Sequence, residues 1–587
     1  GAIATRQVRH SIRPSLLLDF ANSKQLDPRM SFTRTSTGLY WDGKTTVKAE
    51  ENLWYPSTSY GQEAVLDDST VTVTNNNATA PDGTSTAAKV QDNSASVSHY
   101  IVKADSSIET GVTHTLSFYV KYGSGYGWVG IGLASARLAW FDVQNGTQGS
   151  EHSSVQSTSI TSVGNGWYRC AVAINPPNTT DYWQIRLASA DNGVTYTANG
   201  SFVYVWGAQL EKRSLASAYT PTTGSAVVKY QKVLQTASAG QARFDHDPVT
   251  GESKGLLIER TATNYAPYST PNSNWAQAAH MVSSNYAIAP DGTHTAAFIH
   301  ESATSVQQLT YTTTGNTLTS GSTYTFSVYA KAYTHDTFQM HSYGDSSKTF
   351  YLASPSNSGD STMTHVGNGW YRCTWTKTKS NTTSTIYLGF DGATYAGDAN
   401  KGVLFWGAQV ELGTFATSHI PTAGSAVTRS PDQPTVTGSD FDSIYNVSEG
   451  TVFARFMFGY DSDVDQRYIV SGGNGYARWL YTNSGDNNSI VDYDGGSGSI
   501  TNTTADNVWS SAAQRSSLIT LKKNLAANGQ VDAGGERTAT GTINTLSTEF
   551  RIGHGTGTAG QINGWMSKFA YYPKALTDAE LIALTEE

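Results

Sequence analysis

Val163–Cys170 reads VGNGWYRC, and Val366–Cys373 reads VGNGWYRC again. The flanks of the two copies also correspond. Upstream, Thr113–Lys121 (THTLSFYVK) answers to Thr323–Lys331 (TYTFSVYAK), Ala80–Ala87 (APDGTSTA) to Ala289–Ala296 (APDGTHTA), and Asn52–Ser57 (NLWYPS) to Asn264–Ser269 (NYAPYS). Downstream, Trp206–Glu211 (WGAQLE) answers to Trp406–Glu411 (WGAQVE), and Pro221–Val227 (PTTGSAV) to Pro421–Val427 (PTAGSAV). The order is kept and the spacing drifts only by small insertions and deletions, which marks a duplicated domain. Asn-Gly within the motif is a hairpin dipeptide, because both residues tolerate positive φ. In Thr113–Lys121, Leu116, Phe118 and Val120 share one face and Thr115, Ser117, Tyr119 and Lys121 the other. That period-two pattern predicts strands with one buried face. Trp167 and Trp370 are expected in the core. Gln209, Glu211, Gln409 and Glu411 are expected to satisfy buried or edge polar groups.

The composition agrees. Charged residues are 14% and aromatic residues 11% of the 587, with 33 Tyr, 14 Trp and 55 Gly. Helix formers are scarce, and strand and turn formers dominate. The expected fold class is all-β, as tandem jelly-roll β-sandwiches: two homologous copies plus a further sandwich. The divisions read from the sequence are 1–50 (an anchor or connector segment), 51–228 (sandwich module 1), 229–263 (a connector), 264–429 (module 2), 430–440 (a linker) and 441–587 (the last sandwich). Thr577 with Glu580 forms a capping box, which predicts a short closing helix from Asp578.

A net charge of -9 without a basic face excludes the electrostatic footprint of a nucleic-acid binder. No stretch approaches 18 consecutive apolar residues, so no spanning helix is expected. The apolar block Leu16–Leu18 is too short for the core of a secretory signal, so no ordinary signal is expected. Cys170 and Cys373 occupy one position in two repeats and are expected as free, buried residues. Asp245-His246-Asp247 fits turn chemistry, with Asp-Pro and Thr-Gly following, better than any metal motif.

Three longer runs carry a resemblance. SLLLDFANSKQLDPRMSFTRTSTGLYWDGK (Ser15–Lys44) resembles a segment common in tailed-phage fibre and virion proteins. RFDHDPVTGESKGLLIERTATN (Arg243–Asn264) is similar to its usual continuation, here separated from it by the first sandwich. The modules carrying APDGT, GNGWYRC and WGAQ-x-E resemble the carbohydrate-binding-like sandwiches of the same proteins. The end of the chain, FRIGHGTGTAGQINGWMSKFAYYPKALTDAELIAL, is similar to concanavalin A-like, laminin-G-like domains. The resemblance implies a tail fibre or head spike of a virion, extracellular when mature. It would bind host surface polysaccharide, capsule or lipopolysaccharide, and contact other virion proteins through its N-terminal segment. A homotrimer is implied too, although no coiled-coil heptads are present to enforce it.

No HExxH, GxSxG, P-loop or CxxC pair is present, so catalysis is not expected and a polysaccharide depolymerase is the least favoured reading. Glycan binding rests on aromatic faces that stack on sugar C–H groups. The candidates are Tyr126, Trp128, Trp140 and Trp183 in module 1, and Trp479, Tyr481, Asn483, Asp486 and Tyr493 in the last sandwich. Core packing is the competing reading for each. No cofactor is expected, except that some laminin-G-like domains bind calcium. Candidate ligands for it are Asp461, Asp463 and Asp465, or Asp492 and Asp494, with plain loop solvation as the alternative. A spacer or capsid decoration without a ligand is the other class of function.

Overall fold

The computed structural model describes residues 13–576 and Glu580, apart from 62–65, 68–69, 94–96, 105–107, 135–136, 278–281, 303, 305, 313–316, 343, 357–359, 448, 460–466, 473–476, 483–488, 495–497, 504–516, 524–526, 532–534, 540–547, 557–559 and 575; from 473 to 547 it describes backbone alone. The chain is all-β, in sandwiches. The residues of the closing-helix expectation, Glu580 aside, lie outside the described ones.

Module 1 is a pair of six-stranded antiparallel sheets. One runs Thr147–Glu151, Arg137–Asp142, Trp128–Leu133, Tyr182–Ala188, His99–Ala104 and Leu66–Asp67. The other runs Val155–Ser162, Trp167–Ile174, His114–Ser124, Phe202–Glu211, Ala87–Asp92 and Val71–Ala78. Leu116, Phe118, Val120, Ile131, Phe141, Cys170 and Val205 close the core between them. Module 2 repeats the plan, with Phe326, Val328, Phe338, Met340, Cys373, Leu388 and Phe405 inside. Both cysteines are free and buried. The Asn-Gly hairpins have φ of 52° and 77° at Asn165-Gly166, and 47° and 75° at Asn368-Gly369. These are the mirror-image turn values that match strand twist. Trp167 and Trp370 are buried.

One expectation fails. The strand His114–Ser124 is buried on both faces, since Thr115, Ser117 and Tyr119 are as covered as Leu116 and Phe118. It is central in its sheet, and the segment Ser217–Thr222 folds back over its outer face. The repeated motif residues fasten that segment. Asn52 Nδ2 donates to the carbonyls of Ala208 and Thr220, both at 2.9 Å, and its Oδ1 accepts from Trp54 N and Leu210 N. Gln209 Oε1 accepts from Thr220 N at 2.6 Å, and Glu211 Oε2 from Ser217 N at 3.0 Å. In module 2, Asn264, Gln409 and Glu411 make the same bonds to Ile420 and Thr417. A buried amide or carboxylate is costly unless paired, so the recurrence of these residues has a structural cause.

The third sandwich is assembled from three stretches of chain. Strand Gly564–Tyr572 pairs with Leu16–Leu18, with Ser253–Ile258 and with Gly450–Phe458. In the facing sheet, Gln433–Thr437 lies between Ser31–Thr33 and Glu549–Ile552. Residues read from the sequence as an anchor (1–50), a connector (229–263) and a linker (430–440) therefore supply strands to the last sandwich. The reason is apolar: Leu16, Leu18, Phe20, Leu256 and Ile258 are buried in one core with Val452, Phe550 and Phe569. Each module leaves and re-enters this sandwich on an antiparallel stem. Gly38–Asn52 pairs with Val227–Ala237, and Ala262–Asn264 with Val427–Arg429. The two modules are thus insertions into one sandwich.

The roots of the stems meet at a buried charge cluster. Arg34 Nη1 and Asp432 Oδ1 are 2.9 Å apart, Arg243 Nη2 also bonds Asp432, and Arg243 Nη1 lies 2.8 Å from Glu259 Oε2. Arg429 is 3.3 Å from Glu259. Burial opposes ionisation of Glu259, but Arg429, Arg243 and the bonds from Ser418 together hold its carboxyl well below the usual carboxylate range.

Candidate functional site

The sheet of each module that lies away from the stem-side layer presents an outer face with mixed aromatic and polar side chains. In module 2 the strand Thr337–Ser342 (TFQMHS) alternates strictly: Phe338, Met340 and Ser342 are buried, while Thr337, Gln339 and His341 are half-buried. Period two fixes which groups point out. His341 pairs across with Tyr387, and Tyr387 with Tyr311. The Tyr311 and Tyr387 rings lie 4.8 Å apart at 37°. Gly389, next but one to Tyr387, falls between Gln339 and Leu309 in the register. His341 Nε2 and Gln339 Oε1 are 2.8 Å apart, and Tyr351 on the edge strand is 55% exposed.

The matching face of module 1 differs in chemistry. The position of Tyr387 is held by Arg186, which pairs with Tyr100 on one side and Gly130 on the other. The guanidinium sits 5.2 Å over the Tyr100 ring, a cation–π arrangement, and Nη2 donates to Gln184 Oε1 at 3.2 Å. Burial depresses the Arg186 pKa from its ordinary value, but a guanidinium stays charged.

The structure places the aromatic residues expected from the sequence as follows. Trp128 is half-buried on this outer face, and a side chain at Gly149 would strike both its ring and the Asp191 carboxylate. Trp140 lies on the same face but is 3% exposed, since its indole fills the space over Gly130 and packs with Leu138, Ala188 and Val194. It is not an open platform. Trp183 is fully buried, because it points inward with Ile185 and Leu187 and its ring stands 5.8 Å from His114. That expectation is corrected: it is a core residue. Tyr126 sits at the turn before Trp128, 36% exposed and edge-on to Tyr196 at 5.3 Å. The structure thus brings Trp128 and Trp140 together and separates Trp183 from them.

Asn483, Asp486, Asp461, Asp463 and Asp465 lie outside the described residues. Of Trp479, Tyr481, Asp492, Tyr493 and Asp494 the backbone alone is described, in the paired strands Ala477–Thr482 and Ser489–Asp494. Among the described residues no group of three or more His, Cys, Asp or Glu is placed to hold a metal ion. Asp245 accepts from Trp41 N and Trp565 Nε1, and Asp247 caps the turn at Val249 and Thr250.

Tyr311, Tyr387, Gln339, His341 and the Arg186–Tyr100 pair are absent from the sequence-based set. The alternation of TFQMHS was a usable signal, but the candidates chosen in module 1 and the last sandwich pass module 2 by.

No protein-family model matches the chain, and no curated protein matches it. Among solved structures the chain is similar to the N-terminal CBM22-1-CBM22-2 tandem domain from Paenibacillus barcinonensis Xyn10C, at 10% identity over 63% of this chain and 99% of that one, with a TM-score of 0.17.

Proposed function

We propose that this chain is an adhesion protein of a phage or phage-like virion, a fibre or spike, that binds host-surface glycans on the outer faces of its two sandwich modules. The observation that carries the reading is the pair of homologous faces on which aromatic rings and hydrogen-bonding side chains stand together. A sugar offers C–H faces to rings and hydroxyls to amides and imidazoles, and shallow sites of this composition suit it. The two faces would select different units. Tyr311, Tyr387, His341 and Gln339 suit a neutral sugar, whereas Arg186 beside Tyr100 suits one bearing a carboxylate. Capsule and lipopolysaccharide supply both kinds. The virion setting rests on the resemblance of Ser15–Lys44 and Arg243–Asn264 to fibre and spike segments, and so do a trimer and virion partners near the N-terminal segment.

The test is binding of the purified protein to capsular and lipopolysaccharide glycans on an array, with product analysis of the same mixtures. Tyr387→Ala is expected to weaken neutral-glycan binding at least about tenfold, as for a central ring in an interface, with unchanged melting. Arg186→Ala is expected to do the same for acidic glycans alone. Shortened glycan would identify an enzyme instead. The second reading, a ligand-free spacer or decoration, is favoured by the locked junction of the three sandwiches, and absence of binding to any glycan or host cell would select it.

A further inference from the structure

Trp128 does not stand up from the outer face of module 1 but lies along it. A Cβ added at Gly149 would come within 2.4 Å of its Cζ3. Gly149 belongs to Thr147–Glu151, two strands away, with Arg137–Asp142 between. Neighbouring strands are about 4.8 Å apart, so an indole that reaches Gly149 runs across the intervening strand, one flat side on the sheet and the other outward. The half-buried state of Trp128 agrees with this. The same Cβ would meet Asp191 Oδ1 at 2.6 Å, so the carboxylate borders the ring. A bulge holds it there. The register shift between Ala139 and Phe141 sets Gly149 and Ser150 together against Trp140. Ser150 N donates to both Asp191 oxygens at 3.0 Å, and Ser150 Oγ to Oδ1 at 2.8 Å. Asp191 stays exposed and takes part in no ion pair among the described residues.

A cation stands on the other side of the same strand. Arg186 lies opposite Gly130, one diagonal step from Trp128, which separates the two backbones by about 7–8 Å. Its Nη2 is taken up by Gln184, and its guanidinium covers the Tyr100 ring. Nη1 has no hydrogen-bond partner among the described residues and, unlike Nε, is not sealed from solvent. Between Arg186 and Asp191 lie only the indoles of Trp140 and Trp128, which carry no charge. An ammonium over the edge of Trp128 would meet the negative ring face and the Asp191 carboxylate together. An acidic group would reach Arg186. A ligand that is acidic throughout would set one of its charges against Asp191. Module 2 repeats none of this, since the outward groups of Thr337–Ser342 are Thr337, Gln339 and His341.

We infer that the outer face of module 1 selects glycans in which a free ammonium stands next to an acidic group, the ammonium at Trp128 and Asp191 and the acid at Arg186. The inference rests on the glycan-binding reading and narrows it. Arg186 alone accepts any acidic sugar, whereas Asp191 favours those whose neighbouring amine is not acetylated. The spacing suits charges on one sugar unit or on adjacent ones. An amino sugar beside a uronate carries this pair of charges, and so does a phosphoethanolamine substituent.

The experiment titrates the full chain with two probes, an oligosaccharide of alternating glucuronate and glucosamine and a core oligosaccharide carrying phosphoethanolamine. Each is used with its amine free and again after N-acetylation, and which of them binds tells the two sources of the charge pair apart. At least one is expected to bind about fivefold or more tightly with the amine free, the size of a cation–π contact joined to one exposed ion pair. Asp191→Asn keeps the shape and an oxygen for Ser150, so melting is expected to stay unchanged. The preference for the free amine should vanish in it, with no loss of affinity for the acetylated form. Arg186→Ala is expected to weaken both forms. Three results would overturn the inference and leave glycan binding at the outer faces standing: binding of other glycans but of neither probe, equal affinity for the free and acetylated forms, or a preference that survives Asp191→Asn. Failure of the unmodified chain to bind any glycan would overturn both.

Discussion

Replacing Asp432 with alanine is expected to lower the unfolding free energy by about 3–5 kcal/mol, the usual cost of removing one partner from a buried charge cluster. The carboxylate is fully buried and accepts from Arg34 Nη1, Arg243 Nη2 and the backbone N of Glu259, the last at 2.9 Å. Without it, Arg243 and Arg429 keep Glu259 as an ion-pair partner and Arg34 loses its own, with water excluded. Their mutual repulsion is then poorly screened, because the effective dielectric inside is low. The position matters as much as the charge. Arg34 precedes the first stem, Arg243 and Glu259 lie between the stems, Arg429 ends the second and Asp432 follows it. The loss is therefore expected to loosen both stem roots, not one module. Urea unfolding of Asp432→Ala beside Glu109→Ala is the check. Glu109 is exposed and paired with Lys212 at 3.1 Å, and its loss as an ion pair is expected to cost no more than about 1 kcal/mol. Equal small effects from both substitutions would mean that the junction does not hold the molecule together.

The duplicated sandwich was legible because the repeated residues carry the fold. Asn52 and Asn264, or Glu211 and Glu411, recur since each satisfies buried backbone groups that any copy must satisfy. The shared third sandwich was not legible. Leu16–Leu18 joins Phe569–Tyr571 across almost the whole chain, and no local pattern records a partner at that distance. The tryptophans misled for a related reason. Trp128, Trp140 and Trp183 all sit on strands whose two faces both hold apolar groups, so alternation does not say which face meets water. The register decides it, and places Trp183 with Ile185 inside and Trp128 with Gly130 outside.

A ring trio repeated in the two modules, Trp206 with Tyr119 and Tyr219 and Trp406 with Tyr329 and His419, supplies a last expected result, an acid-labile point in module 2 that module 1 lacks. His419 is buried against Trp406 and Tyr329, neither ring nitrogen has a hydrogen-bond partner among the described residues, and Arg372 lies over the same Tyr329 ring. Burial, with Arg372 adding to it, pushes its pKa down from 6.5 to about 3. An unfolded chain takes up this proton as pH falls below about 6.5, while the folded chain does not, so the folded state loses about 1.4 kcal/mol per pH unit in that window. Glu259 and Asp345 carry depressed carboxyls, Asp345 at about 2, and they withdraw stability only below the unfolded carboxylate range near 4.5. The interval from pH 6.5 to 5 therefore separates the histidines from these carboxyls; His294 and His554, both lowered to about 4 by burial, add their own loss there, and the share of His419 is about 2 kcal/mol. Module 1 shows how to remove it. Tyr219 holds the matching position and its Oη lies 2.6 Å from Ser57 Oγ, while Ser269, the counterpart of Ser57, is buried beneath His419's own segment and already bonds Thr422. His419→Tyr gives the hydroxyl a ready partner and leaves nothing there to protonate. Unfolding midpoints measured at pH 7 and pH 5 should converge in His419→Tyr relative to the unmodified chain, by an amount near that 2 kcal/mol. An unchanged pH dependence would mean that His419 accepts its proton in the folded state, with solvent reaching a ring that the packing closes off.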